Sequence, residues 1–182
     1  MGQSGTNVAR DVSDVVLEDD NLHTMAVAVS QGRTIYNNIR KMIHFMVSTN
    51  LTEIEVMLAG IAFGLGQPMN PMQLLWINII SDIFPGMALS MEAAEADVMQ
   101  RPPRDAQAPL FSGDDFVKMT RESAAITGGA LAAYGYGVSR YGLGAGAASL
   151  AFQSLTIGQL LHALSCRSEQ ASLFDGRRQP AN

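Results

Sequence analysis

Residues 42–66 read MIHFMVSTNLTEIEVMLAGIAFGLG, and this stretch decides the fold because it is apolar over a length that crosses a bilayer. A membrane-spanning helix needs about 20 predominantly apolar residues. Two carboxylates, Glu53 and Glu55, stand near its middle together with Asn50 and Thr52. A charged side chain at that depth costs about 2.5–3.5 kcal/mol on insertion scales and by default marks a functional site. The stretch is therefore predicted to be a membrane helix that carries chemistry.

Three further apolar stretches follow along the chain. A short break with two prolines, residues 66–71, leads to MQLLWINIISDIFPGMALSM at residues 72–91. After a polar, Pro-rich connection come residues 116–137 and 143–164, which are rich in the Gly, Ala and Ser that allow membrane helices to pack closely. The sequence therefore predicts a mainly α, polytopic membrane helical bundle of about four transmembrane helices.

The first 40 residues are more polar and are typical of soluble structure. Thr6 is suited to cap a short helix that runs to about Val12, and Asn21 to cap a longer one. Between them, the apolar run 15–17 before three acidic residues predicts a buried strand that ends at a turn. Since this segment is too small to hold a core of its own, we expect the small α/β end of a larger domain.

Charge and composition limit the partners and the orientation. The net charge is −5 and no long basic run is present, so no nucleic-acid partner is expected, and membrane lipid is. The single cysteine, Cys166, excludes an internal disulfide and is expected to have no role, while His162 is expected at the membrane interface. Lys and Arg are concentrated before the first span, between the second and third, and after the fourth. Both termini are therefore predicted to be cytoplasmic.

The polar side chains inside the first two spans form a pattern. Asn50 and Glu53 are spaced i, i+3, and Asn78 and Asp82 are spaced i, i+4, so each pair shares one helix face. Ser81 lies beside the second pair. Two consecutive antiparallel helices thus present an amide and a carboxylate near the same depth. Hard cations favour such oxygen ligands, which makes the pattern typical of a cation site.

Pro85 strengthens this interpretation. A proline has no N–H for the carbonyl four residues back, which frees the carbonyl of Ser81 next to the carboxylate of Asp82. Interrupted helices with exposed carbonyls build ion sites in the middle of membranes. The alternative is that the polar groups only hold the helices together by hydrogen bonds. The combination of two amides, two carboxylates and a proline favours the cation site.

Two other polar residues in the spans are less informative. Gln159, in the fourth span, would add an amide oxygen to the site, although packing explains it nearly as well. Glu55 lies two positions from Glu53 and is expected to point to another face. Protonation, a partner on another helix and a nearby water path all remain open for Glu55, and no role is assigned to it.

Six stretches of the chain match a known family. They are MGQSGTNVAR at 1–10, DVVLEDDN at 14–21, GRTIYNNIRK at 32–41, STNLTE at 48–53, QLLWINIISD at 73–82 and DVMQRPPR at 97–104. In these stretches the chain resembles the type II P-type ATPases of the calcium-pump-like branch. The resemblance implies that the chain is a C-terminal fragment of such a cation-transporting ATPase.

The resemblance also implies a division of the chain and a ligand set. Residues 1–31 would be the C-terminal edge of the phosphorylation domain, 32–41 the stalk, 42–164 the fifth to eighth membrane helices of the family, and 165–182 a polar tail. The chain would lie in the plasma (inner) membrane. Ca²⁺ is the cation expected first, although oxygen ligands alone also admit Mn²⁺, Mg²⁺, Na⁺ or H⁺. The implied ligands are Asn50, Glu53, Asn78, Ser81, Asp82 and Gln159.

The family's catalytic motifs set the expected activity. Its members are phosphorylated by ATP on the aspartate of a DKTGT motif, and neither that motif nor GDGxNDxP occurs in this sequence. We therefore predict that the chain alone does not hydrolyse ATP, and that ATP and Mg²⁺ act only in the parent pump. The ATP-hydrolysing portion would be a partner if it is separately encoded. The alternative function is a non-catalytic four-helix membrane protein, either an accessory subunit or the inert remnant of a broken pump gene.

Overall fold

The computed structural model describes residues 5–95, 97–105 and 107–167, and every regular element in these ranges is a helix. The prediction of a mainly helical chain is therefore confirmed. The family match at residues 1–4 and most of the predicted polar tail, 168–182, lie outside the described residues. The elements are α1 (Asn7–Asp11), α2 (Leu22–Ala62), α3 (Pro71–Trp76), a π-helical segment (Ile77–Asp82), α4 (Ile83–Ser90), α5 (Gly113–Tyr141) and α6 (Ala145–Cys166).

The N-terminal end differs from the expectation in one respect. The strand predicted at residues 15–17 is wrong: these residues are irregular, and Val15 is 60% exposed. A strand needs a neighbour for its backbone hydrogen bonds, and the described part of the chain offers no strand to pair with. The predicted caps are confirmed, since Thr6 accepts a hydrogen bond from the first turn of α1 and Asn21 accepts one at the start of α2.

The described residues within 1–37 and 93–104 form one compact unit. Arg33 Nη1 donates hydrogen bonds to the backbone carbonyl oxygens of Val98 at 3.0 Å and Arg101 at 2.7 Å. These bonds tie the polar connection after α4 to the first part of α2. Arg101 is held in turn by two carboxylates, those of Glu95 and Asp97.

The second compact unit covers 38–92 and the described residues from 105 onward, and it contains the long helices. Among the described residues, two helices are long and apolar enough to cross a membrane, α2 and the continuous stretch Pro71–Ser90. Helices α5 and α6 have 29 and 22 residues, which is spanning length, but they are not among these two. For α5 and α6, membrane crossing stays a prediction.

Polar and apolar side chains in this unit are distributed as in a membrane bundle. Large apolar side chains point outward, among them Leu58 at 62%, Phe84 at 61% and Ile157 at 58% exposure. Hydroxyl side chains such as Thr49 and Thr52 are instead fully buried. Because each apolar side chain left in water forgoes about 1.5–3 kcal/mol of burial, this arrangement suits lipid around the helices. The apolar core itself is formed by Val56, Met69, Ile77, Ala130 and Leu155.

Helices α5 and α6 approach each other closely at Gly137. A Cβ atom added at this position would lie 2.7 Å from the Cα atom of Ala147 on α6. Real Cβ atoms essentially never come so near to backbone. The missing side chain of Gly137 therefore sets the distance between the two helices, as small residues do in membrane proteins.

Candidate cation site

The predicted ligands on α2 and on the following helix lie opposite each other. Asn50 Nδ2 donates to Asp82 Oδ2 at 3.4 Å, and Asn78 Nδ2 donates to Glu53 Oε2 at 3.0 Å. Asn50, the earlier of the two residues on α2, thus contacts Asp82, the later of the two on the next helix. This pairing is the one expected for antiparallel helices. All four side chains are brought together as two amide–carboxylate pairs.

Helix α6 adds Gln159 to this group. Its side chain is fully buried, and Nε2 donates to the backbone carbonyl of Thr49 at 3.4 Å and to Glu53 Oε1 at 3.5 Å. Gln159 therefore packs between helices, as one of the two interpretations of the sequence expected. Its side chain also lies close to Glu53. Glu53 consequently contacts amides from two different helices.

Several oxygen atoms at this place are buried without a hydrogen-bond partner in the described part of the chain. A buried polar atom left unsatisfied costs about 1–3 kcal/mol, and most such atoms in proteins are paired. Carboxylate, amide and hydroxyl oxygens are the ligands that hard divalent cations take. The donor set therefore fits a bound cation. The unpaired atoms are Asp82 Oδ1, Ser81 Oγ, Gln159 Oε1 and Ser48 Oγ.

The helix that carries Asn78, Ser81 and Asp82 is widened at these residues. Ile77–Asp82 is π-helical, with hydrogen bonds that reach five residues instead of four. Pro85 follows in α4 and has no N–H to offer the carbonyl of Ser81. The sequence suggested an interruption, whereas the helix continues from Pro71 to Ser90 and absorbs the change as a π segment. Such segments occur frequently at functional sites.

The candidate ligands differ in their exposure. Glu53 is 8% and Asp82 3% exposed, and Ser81 and Gln159 are more deeply buried still. Asn50 is exposed, and its Nδ2 also donates to the backbone carbonyl of Met46 at 2.7 Å. Asn50 therefore lies at the rim of the group, although the i, i+3 spacing places it on the same broad face as Glu53.

Glu55 lies on a different face from Glu53, as the sequence predicts. Its Oε1 accepts a hydrogen bond from Ser123 Oγ at 3.0 Å, and its Oε2 accepts one from Thr127 Oγ1 at 2.7 Å. Both hydroxyls belong to α5. Of the possibilities left open for Glu55, a partner on another helix is the one observed. The i, i+4 spacing of Ser123 and Thr127 places both hydroxyls on one face of a helix and was the signal available in the sequence. The sequence alone does not show that this face contacts Glu55.

The predicted ligand set left out three buried hydroxyl residues on α2, of which Thr52 was noted only as a polar residue of the span. Ser48, Thr49 and Thr52 are 0% exposed, and Thr52 Oγ1 donates to the backbone carbonyl of Ser48 at 3.2 Å. The backbone carbonyl of Thr49 receives the Gln159 amide. The signal was present as a run of polar residues, 48–53, interrupted only by Leu51 within an otherwise apolar span. Of the three, Thr49 contacts α6 through the Gln159 amide.

Comparison with known proteins gives the class. The model of a family described as "Cation transporting ATPase, C-terminus" matches residues 66–182. A calcium-transporting ATPase of Bacillus subtilis is 39% identical over 171 residues, which is 93% of this chain and 19% of the relative. Calcium-transporting ATPase 1 of Yarrowia lipolytica is 33% identical over 175 residues, 96% of this chain and 19% of the relative.

A third relative carries a broader name. The probable cation-transporting ATPase F of Mycobacterium tuberculosis is 46% identical over 113 residues, which is 62% of this chain and 12% of the relative. The helices and the polar groups buried between them are those of a membrane-embedded helical bundle. The chain belongs to the cation-transporting P-type ATPase family, as its C-terminal, membrane-embedded portion. It spans 19% of the length of the Bacillus subtilis relative.

Proposed function

We propose that this chain supplies part of the transmembrane cation site of an ATP-driven pump, and that the transported ion is Ca²⁺. The observation that carries the proposal is the group of buried, unpaired oxygens beside two buried carboxylates. The carboxylates of Glu53 and Asp82 would balance the charge of the ion. The neutral ligands would be the side-chain oxygens of Asn50, Asn78, Ser81 and Gln159.

Two considerations favour Ca²⁺ over other hard cations. Ca²⁺ accepts six to eight oxygens in flexible geometry, whereas Mg²⁺ demands a near-ideal octahedron and keeps several of its waters. A mixed set of carboxylate, amide and hydroxyl oxygens drawn from three helix segments suits the more tolerant ion. Two relatives that cover more than nine-tenths of this chain are also named as calcium-transporting.

In the proposed pump the ATP-hydrolysing portion would be the partner of this chain if it is separately encoded. ATP and Mg²⁺ would act on that portion, because the chain carries no DKTGT or GDGxNDxP motif. Phosphoryl transfer depends on positioning and on charge stabilisation around the phosphate, which such motifs supply. We place the pump in the plasma (inner) membrane of the cell, with lipid around its helices.

Ion uptake into sealed vesicles tests the proposed function. With the complete ATPase reconstituted in liposomes, we expect ATP-dependent accumulation of radioactive Ca²⁺ that collapses when a Ca²⁺ ionophore is added. Mn²⁺ and Mg²⁺ are offered in parallel assays. Liposomes that contain this chain alone serve as the control and are expected to show neither ATP hydrolysis nor ATP-driven uptake.

The uptake assay separates the proposal from its alternatives. Accumulation of Mn²⁺ or Mg²⁺ without Ca²⁺ would support an ATP-driven pump but contradict Ca²⁺ as the transported ion. Absence of both uptake and phosphoenzyme formation for every cation, with the helical content intact by circular dichroism, would leave the non-catalytic four-helix protein as the better description.

A four-span topology with both termini cytoplasmic is expected from the distribution of Lys and Arg. Reporter domains fused after Gln67, Gln107, Arg140 and Ser168 should read outside, inside, outside and inside in that order. A reporter at Gln107 that reads as external would contradict the model, because the connection before α5 would then lie on the wrong side.

A further inference from the structure

A second cluster of ligating groups lies where α2, α5 and α6 meet. The ligand atoms of His44, His162 and Cys166 all lie within 4.8 Å of one another. Glu122 Oε2 is 2.6 Å from His44 Nε2 and 3.9 Å from His162 Nε2. Cys166 Sγ is 3.5 Å from His162 Nε2. Two imidazoles, one thiol and one carboxylate thus converge.

The surrounding helices hold this cluster in place. His162 and Cys166 are one turn apart on α6, and the ring of His162, 7% exposed, stacks on Phe45 of α2 with 6.1 Å between ring centroids. The expectations that Cys166 has no role and that His162 lies at the membrane interface did not foresee this contact. The four groups line a cavity of about 30 Å³. About 10–15 Å³ is enough for a water-sized occupant, so the cavity admits a single metal ion.

We propose that His44, His162, Cys166 and Glu122 bind one Zn²⁺ ion. Zn²⁺ prefers nitrogen and sulfur ligands in a tetrahedron, with Zn–N near 2.0–2.1 Å and Zn–S near 2.3 Å. The ligand atoms of His44, His162 and Cys166, within 4.8 Å of one another, and Glu122 Oε2, 2.6 and 3.9 Å from the two imidazoles, need only small side-chain movements to reach such distances. On binding, the thiol of Cys166 loses its proton to water, and the thiolate and the carboxylate together balance the two positive charges.

The positions of the two nearby lysines, Lys118 and Lys41, are compatible with a bound ion. Lys118 Nζ is 4.0 Å from Glu122 Oε1, the oxygen that faces away from the histidines. Glu122 Oε2 is therefore the atom directed to the metal. Lys41 also lines the cavity, so its charge opposes that of the ion and sets a limit on affinity.

The Zn²⁺ site is chemically distinct from the proposed Ca²⁺ site. The Ca²⁺ site offers oxygens only, whereas this cluster offers imidazole and thiolate, which select transition metals. His44 precedes Asn50 by six residues on α2, a distance of about 9 Å along the helix axis. A Zn²⁺ ion bound to these side chains would cross-link α2, α5 and α6. The proposal does not depend on what the pump transports.

Zn²⁺ titration of the full chain in lipid nanodiscs, against a competing chromogenic chelator, tests the proposal. We expect one tight equivalent for the wild-type chain. Cys166→Ser and His162→Ala should each weaken binding by at least about 10–100-fold, the loss already seen when only an outer-shell partner is removed. His23→Ala is the matched control, because His23 is exposed and outside the cluster, and its affinity should equal that of wild type.

Co²⁺ in place of Zn²⁺ gives an independent measurement. A bound thiolate produces a sulfur-to-cobalt charge-transfer band, and since Cys166 is the single cysteine, the band reports this site alone. We expect the band in wild type and His23→Ala and its loss in Cys166→Ser, a nearly isosteric change whose helical content is checked by circular dichroism. Equal Zn²⁺ affinity in wild type and both ligand variants, or Co²⁺ binding without the band, would overturn the proposal.

Discussion

Replacing Asp82 by asparagine in the complete ATPase is expected to abolish Ca²⁺-dependent phosphorylation by ATP over the range that saturates the wild type. Asp82→Asn keeps the shape of the side chain and removes its charge. Because Asp82 is 3% exposed and its Oδ1 has no hydrogen-bond partner in the described ranges, little solvent is available to replace that charge. We expect the half-saturating Ca²⁺ concentration to rise on the order of 100-fold, equivalent to about 2.7 kcal/mol.

The measurement is phosphoenzyme formation from ATP as a function of Ca²⁺ concentration. Glu53→Gln should behave like Asp82→Asn, since Glu53 is the other buried carboxylate of the group. Glu55→Gln is the matched control: it makes the same chemical change two residues away, on a side chain bonded to α5. Its half-saturating concentration should stay near that of wild type.

The same titration decides between an ion site and simple helix adhesion. If the polar groups only held helices together, Asp82→Asn would change little, because an amide still makes hydrogen bonds between helices. An unchanged value for Asp82→Asn together with a large rise for Glu55→Gln would mean that the ion binds on the other face of α2.

Gly137→Ala is expected to produce the largest loss of stability among the glycine-to-alanine changes in α5. The added Cβ would lie 2.7 Å from Ala147 Cα and 3.1 Å from Ala147 Cβ, and a backbone atom cannot rotate away as a flexible side chain does. The two helices would have to separate. Overpacking of this kind costs about 1–3 kcal/mol in the free energy of unfolding.

Gly135→Ala is the matched control for this change. A Cβ at position 135 meets nothing within 4 Å, so the substitution adds the same methyl group without a clash. Alanine favours a helix over glycine by about 1 kcal/mol, so this variant should be as stable as the wild type or slightly more stable. Unfolding of both variants in detergent micelles provides the comparison. Equal stability of the two would show that α5 and α6 do not pack at Gly137.

The helices and the grouping of four polar side chains on the first two spans were within reach of sequence reasoning. Both follow from short-range geometry: long apolar runs become helices in a membrane, and the spacings of Asn50 with Glu53 and Asn78 with Asp82 place each pair on one face. The caps at Thr6 and Asn21 are equally local. The strand at 15–17 failed because strand formation depends on a partner, which a local pattern does not contain.

Other features depend on which helices meet, and that information is not local. Glu55 reaches Ser123 and Thr127 across more than 60 positions of the sequence, and Gln159 reaches Glu53 across more than 100. No spacing rule connects such residues. The π segment is also invisible to a periodicity analysis, since a single widened turn shifts the apolar pattern too little to be recognised.

The widened turn at Ile77–Asp82 gives the second span two possible registers. A π segment accommodates about one residue more than an α-helix of the same rise, and in an α-helix one residue corresponds to a rotation of about 100°. If the π segment shifts along the helix, the side chains between its old and new positions rotate about the helix axis. The two ends of the helix stay in place. Asn78 and Asp82 stand at the two ends of the widened turn. In the proposed pump, such a movement would turn their oxygens toward α2 or away from it without displacement of either helix end, and a change in cation affinity would then need only a local exchange of backbone hydrogen bonds.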